Sequence, residues 1–300
     1  MVCGVDFSVH ARRALRYAVA AAKRLNATLI VLFVEDPLLI TAAVVAYDEV
    51  ALAKETAIRL RRFVHHVIGQ APGVPTECLV ATGEPARELE RAAARLGATL
   101  IVVGTQGLRG VRRIFLGSTT RHVLRTTSVP VLAIPPRAPA KPSAQWPGHR
   151  VAVAVDLDDD TMADARAAAE LAHRFSAKVV LVHVLPTIQA PPWIRLRGGR
   201  DATRIEEAEA KLTRVAETLG TGIHVETRVL VGNPAEAIAS FAKRRVDLVI
   251  LTLRRGKGVL GSRPGSLTYE LLSVAATPVL GIPGTPLEGE VHVDQVVRAS

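Results

Sequence analysis

The chain repeats itself, and that repetition restricts the folds open to it more than any other feature. VCGVDFS (2 to 8) and AVAVDLD (152 to 158) are both short apolar runs ending in aspartate ahead of an alanine-rich stretch. The correspondence continues through NATLIVLFVEDP (26 to 37) and SAKVVLVHVLP (176 to 186), then LVATGEPARELE (79 to 90) and LVGNPAEAIAS (230 to 240). GATLIVVG (97 to 104) and RVDLVILT (245 to 252) come next, and LGSTTRHVLRTTSVPVLAIPP (116 to 136) and PGSLTYELLSVAATPVLGIPG (264 to 284) close each unit. Asp6 to Asp156 spans 150 positions and Gly117 to Gly265 spans 148, so one unit of about 135 residues occurs twice.

Within each unit, short apolar runs alternate with stretches of helical period, the pattern of βαβ units around a parallel sheet buried on both faces. Strands are predicted at 2 to 8, 29 to 34, 77 to 81, 100 to 104 and 129 to 135. Ala11, Ala14, Leu15, Ala18, Ala22 and Leu25 mark a first helix with Ser8 as its N-cap, and a second helix is predicted from about 47 to 68. The fold class is therefore α/β: two tandem Rossmann-like domains, each an open five-stranded parallel sheet sandwiched by helices. They are predicted at 1–136 and 150–284, joined by the Pro-, Ala- and base-rich linker 137–149 and followed by a tail at 285–300 whose LEGEVHVDQVV alternates like a strand.

Composition narrows the function classes. Hydrophobic residues make up 49% and charged residues 22%, enough apolar matter for a sizeable core. No apolar run approaches the roughly 18 residues of a membrane span, and the N-terminus lacks a signal-peptide pattern, so a cytoplasmic location is expected and membrane association is not. Cys3 and Cys78 form no CxxC pair and are read as reduced, buried apolar residues. A net charge of +10 invites a polyanion partner, but arginines such as Arg12, Arg13, Arg16, Arg59, Arg61 and Arg62 are spread over helix faces. An aromatic content of 4% offers few stacking platforms for single strands, which counts against nucleic acid.

In this fold, ligands bind beyond the carboxyl ends of the strands, where Asp6, Val34 and Gly104 converge. Gly104 and Gly107 are expected to supply positive φ and close backbone approach, and Gly117-Ser118 opens a helix whose free amides and dipole suit an anion. Ser118 and Thr119 are read either as N-caps or as phosphate donors.

GTQG at 104 to 107, nine residues, then Gly117-Ser118 resembles the GxxG, nine residues, G(S/T) pattern of the ATP-binding universal stress proteins. GVDFS resembles that family's opening strand and SVPVLAIP (128 to 135) its closing one, so the chain resembles a tandem universal stress protein. The resemblance implies that Asp6 contacts adenine or its sugar and that the Val34 backbone reads the base. Val103, Gly104, Gly107, Gly117, Ser118 and Thr119 would hold the ribose and phosphates of ATP with Mg2+, and Gly83 is a weaker candidate. It further implies a stress-response regulator acting on an unidentified protein partner, with pairing of final strands as a homodimer or within one chain. VPVLAIP (129 to 135) and TPVLGIP (277 to 283) are the segments expected to pair here. Family members carry more apolar residues ahead of the aspartate than MVCGV supplies, so either a short first strand or a truncated start is expected.

The second unit departs from the motif: Thr252 stands where Gly104 is and Arg255 where Gly107 is, and both carry a Cβ that obstructs a phosphate. Asp156, Val184, Gly265 and Ser266 remain as its weaker candidates, with Arg254, Arg255 and Lys257 as side-chain phosphate ligands. The run Asp156 to Asp160 is read as capping and charging a helix N-terminus rather than as a magnesium site. His65-His66 point about 100° apart on a helix and make no metal pair. The insertion 189 to 207, with Trp193, Arg195, Arg197 and Arg200, suggests a contact surface. No GxxxxGK(S/T) loop, Ser-His-Asp set or base near the phosphate end is present, so binding is expected over turnover, with slow ATP hydrolysis and nucleic-acid binding as alternatives.

Overall fold

In the computed structural model of the chain, residues 1–38, 49–69, 73–107, 116–158, 160–187, 200–219, 224–243, 245–253 and 266–284 are described. The first copy comprises β1 (Val2–Val5), α1 (Val9–Leu25), β2 (Leu29–Glu35), α2 (Glu49–Ile68), β3 (Thr76–Thr82), α3 (Pro85–Arg95), β4 (Ile101–Gly104), α4 (Ser118–Thr126) and β5 (Val131–Ile134). The second comprises β6 (Arg150–Ala154), α5 (Thr161–Arg174), β7 (Lys178–Leu185), α6 (Arg200–Thr218), β8 (Val225–Val231), α7 (Pro234–Ala242), β9 (Leu248–Leu253), α8 (Ser266–Val274) and β10 (Val279–Pro283).

All strands join one ten-stranded sheet in the order β3-β2-β1-β4-β5-β10-β9-β6-β7-β8. Pairing is parallel inside each half, as apolar runs such as LIVLFV and VVLVHVL require when helices cover both faces. The halves meet at the one antiparallel ladder among the described strands, Val279 opposite Ala133, Leu280 opposite Leu132 and Gly281 opposite Val131. The two closing segments therefore pair within the chain, and the two open sheets expected from sequence are halves of one.

Alternate strand residues feed two cores. Cys3, Val31, Val102 and Leu132 pack under α1 and α2, with Val153, Val179 and Ile250 continuing that layer beneath α5 and α6. Val2, Ile101, Val103 and Val131 pack under α3 and α4, and Val180, Val249 and Leu251 under α7 and α8. Turns were duplicated with the core. Asn26 and Ser176 lie in the left-handed region at φ 47 and 57 where α1 and α5 end. Gly83 and Gly232, at φ 153 and 135, each donate an amide hydrogen bond of 3.0 Å to the end of the neighbouring strand, at Glu35 and Leu185.

The linker is a packed connector. Trp146 is 4% exposed, edge-on to Tyr17 of α1 at 5.0 Å and 6.3 Å from Phe175 at the end of α5, so one ring fills the space between the copies. Its indole N–H donates to the Asp247 carbonyl at 3.0 Å. Arg13 and Arg16 of α1 donate to the carbonyls of Pro136 and Ala140. Gly148, at φ +74, is the residue that fits here, since a Cβ would fall 1.8 Å from an Asp247 carboxylate oxygen.

Candidate functional site

The sheet order reverses direction at β1, flanked by β2 and β4, and the crevice lies beyond those strand ends. Asp6 follows β1 half-buried, and its Oδ1 accepts the Ser8 amide at 3.0 Å. Ser8 Oγ accepts the Ala11 amide at 3.0 Å, so the predicted N-cap of α1 is present. Phe7 between them sits at φ 64, a costly conformation for a bulky residue. Packing over-determines it: the ring lies 4.5 Å from Phe33 and 5.3 Å from Phe63, with the Arg59 guanidinium over its face at 5.1 Å.

Opposite Asp6 stand the glycines. Neither Gly104 nor Gly107 adopts the expected positive φ; what each requires is space. A Cβ on Gly104 would meet the His10 carbonyl oxygen at 3.1 Å, and one on Gly107 would meet Asp6 Oδ2 at 2.8 Å. The loop thus runs close against the start of α1 on one side and the aspartate on the other. Gly117 itself is the N-cap of α4, with φ −57 and ψ 147, so Ser118 and Thr119 occupy its first turn and do not cap it. Two bonds fix α4 to the loop: the Gly117 amide donates to the Thr105 carbonyl at 2.8 Å, and Thr120 Oγ1 donates to the Gly104 carbonyl at 2.9 Å. Thr120, 2% exposed, was missed from the sequence because a threonine in the first turn of a helix carries no signal of reaching back to a strand.

Charge favours an anion here. Neither α1 nor α4 has an acidic residue in its first turn, so the positive ends of both helix dipoles lack compensation from their own sequence. Among the described residues, buried side-chain nitrogen or oxygen atoms without a protein partner are His10 Nδ1, Arg12 Nε, Arg13 Nε, Thr105 Oγ1 and Arg150 Nε. Four of these five belong to the start of α1 or to the GTQG loop, which concentrates unsatisfied polar capacity at this crevice. The remaining candidates of the first copy fall in place: Val34 is half-buried in β2 opposite Ala81, Val103 is 4% exposed in β4, and Gly83 forms the turn after β3. Arg109, Gly110, Arg112 and Arg113 lie outside the described residues.

The corresponding end of the second copy is built differently. Asp156 is exposed where Asp6 is half-buried. The expected capping by its aspartates is not what organises the turn: Asp160 at the N-cap of α5 makes no side-chain cap bond. Instead Thr161 Oγ1 accepts the Asp158 amide at 2.8 Å and donates towards the carbonyls of Asp156 and Asp158 at 2.6 and 2.7 Å. His183 replaces Phe33, its Nδ1 2.9 Å from the Val155 carbonyl oxygen. Val184 and Thr252 are half-buried strand residues, while Gly265, Arg254, Arg255 and Lys257, most of the 189 to 207 insertion and the tail lie outside the described residues, as does the Ser266 side chain.

Other sequence expectations resolve simply. His65 and His66 are exposed on α2. Cys3 is buried, its thiol pushed up to about 12 by burial, while Cys78 is only half-buried; both are free. No group of three potential metal-binding side chains occurs among the described residues, and none of their helices is long and apolar enough to cross a membrane.

Two parallel α/β halves in tandem, each with its crevice at the point where the strand order reverses, define a doubly wound α/β protein. The universal stress protein family matches the chain twice, over residues 1–135 and 148–283, and the chain belongs to that family. It is 24% identical over 292 residues to a universal stress protein of Mycolicibacterium smegmatis, covering 93% of this chain and 95% of that protein. A universal stress protein of Thermus aquaticus is 35% identical over 133 residues, 43% of this chain and 93% of that protein. The crystal structure of a universal stress protein from Archaeoglobus fulgidus superimposes with a TM-score of 0.64 at 20% identity, covering 94% and 97% of the two chains, and shows the same fold.

Proposed function

We propose that the first copy binds ATP and that occupancy there regulates a partner protein in the cytoplasm, the second copy having lost this pose. The observation that carries the reading is the pair of tightly packed glycines, Gly104, whose Cβ position lies 3.1 Å from the His10 carbonyl oxygen, and Gly107, where a Cβ would press on the Asp6 carboxylate, both facing the start of α4. The residues fit the nucleotide. Amides at the start of α4 and along the GTQG loop would hold the phosphates, with Ser118 and Thr119 as hydroxyl donors. Asp6 would take a ribose or adenine donor, and the Val34 backbone would read the base edge. A bound nucleotide would bring Mg2+ with its phosphates.

The second copy supplies negative charge of its own. Asp156, Asp158, Asp160 and Asp164 surround the start of α5 and occupy the favourable end of its dipole, where a polyanion would meet repulsion. Single occupancy per chain follows.

Mass spectrometry of small molecules released from the denatured protein, with a thermal shift on adding Mg-ATP, tests the reading. Recovery of adenine nucleotide and a shift that Gly107→Val abolishes are expected. No released nucleotide and no shift would sink it.

A further inference from the structure

His10 lies in the first turn of α1, where the GTQG loop passes closest. Its main-chain carbonyl carbon and oxygen stand 3.2 and 3.1 Å from the position of a Cβ on Gly104, and its own Cβ 3.5 Å. Nδ1 is buried and has no partner. Two charged groups act on the ring from the described elements: Arg13, one turn along α1, and Asp6 at the end of β1. The ends of β4 and β5 bring no ionisable side chain, presenting Gly104 to Gly107 and Pro135-Pro136. Arg109, Arg112 and Arg113 fall in the 108–115 stretch outside the described residues.

We infer that His10 makes nucleotide affinity at this crevice rise as pH falls, by taking up a proton from solvent when a polyanion occupies the cradle. The inference rests on the ATP-binding reading and deepens it. In the free protein, burial lowers the pKa of His10 and Arg13 lowers it further, with Asp6 opposing, so the ring is neutral near pH 7. Phosphates held along Gly104 to Gly107 reverse that balance. A negative charge within several ångströms of a half-buried imidazole stabilises the imidazolium by Coulomb attraction that solvent screens only in part. Protonation then gives Nδ1 a hydrogen to donate, and by linkage a ligand that favours the protonated form binds more tightly at lower pH. The counterpart of His10 in the second copy is Asp160, so the effect belongs to the first crevice alone.

The test is Mg-ATP binding to the full chain by calorimetry at pH 8 and pH 6, in buffers of different ionisation enthalpy, for wild type and His10→Gln. Protonation of ATP itself contributes equally to both proteins and cancels. Wild type is expected to gain roughly threefold more affinity than His10→Gln between pH 8 and pH 6, with proton uptake that the variant lacks. As a readout independent of the variant's folding, the His10 ring is also followed by NMR in wild type. Its titration is expected to move to higher pH on saturation with Mg-ATP. Equal pH dependence in both proteins, or a His10 titration unmoved by ligand, overturns the inference while leaving ATP binding intact. No binding at either pH overturns both.

Discussion

The two copies share a fold down to the φ angles of their turns and differ at the place where β1 and β6 hand over to a helix. In the first copy that hand-over is tense and basic: Phe7 is held at φ 64, Asp6 faces a glycine, and α1 opens with no acidic residue. In the second it is relaxed and acidic, since Leu157 takes the place of Phe7 without a positive φ and α5 opens among aspartates. Core packing and turn geometry need most of the sequence to agree, whereas a ligand site needs a few residues to disagree with what stability prefers. The first copy retains the uncomfortable arrangement, and the second has settled into a self-satisfied one.

Separating the copies energetically is the strongest way to sharpen that comparison. Trp146→Ala removes the ring shared by Tyr17 and Phe175, and should cost about 3–5 kcal/mol in urea denaturation. Wild type is expected to unfold in one transition and the variant in two, one for each copy; a loss within error would show that the connector does not hold them together. Gly107→Val should then weaken Mg-ATP binding by about 100-fold in equilibrium dialysis, roughly 2.7 kcal/mol, with circular dichroism unchanged. Wild type should saturate at one nucleotide per chain, and a stoichiometry of two would erase the proposed difference between the crevices. Ser8→Ala should destabilise the protein by about 1 kcal/mol, because a side-chain cap bond is lost. Asp160→Ala, which removes no cap bond, should stay within about 0.5 kcal/mol.

The smallest effect is on pH. The folded pKa of His10 is depressed, so the unfolded chain takes up the proton first. Stability should be fully present above the ordinary histidine range, decline as pH falls through it and level off below the folded value. His10→Gln should flatten that decline in a thermal melt series at pH 7.5 to pH 5; an unchanged slope would assign it to other groups.

What the sequence made legible was whatever repeats or alternates. The offset near 150 exposed both copies, and period-two and helical patterns placed the strands and helices, whereas the central seam was expected only through the family resemblance. The candidate site could be drawn from the sequence as a set of positions and less so as a geometry. Glycine spacing marks where backbone must approach something, yet it does not say whether φ or space is the reason, and at Gly104 and Gly107 the reason is space. Trp146 was hidden for a related cause: one aromatic in a proline-rich run has no periodicity, and its burial depends on two helices more than 150 positions apart at their far ends. Thr161 and Thr120 do their work through hydroxyls reaching to backbone carbonyls, a choice of rotamer and not of pattern.

The antiparallel ladder between β5 and β10 has a consequence for the cell as much as for the fold. Two identical subunits joined through such a ladder would trade partners with any related chain present, and every mixture would carry matched sites. Fusing the halves ends that traffic: each molecule is born with its mate, in fixed proportion, and with one half free to drift from the other. A single gene thereby encodes an asymmetric pair that dilution cannot dissolve and a paralogue cannot infiltrate.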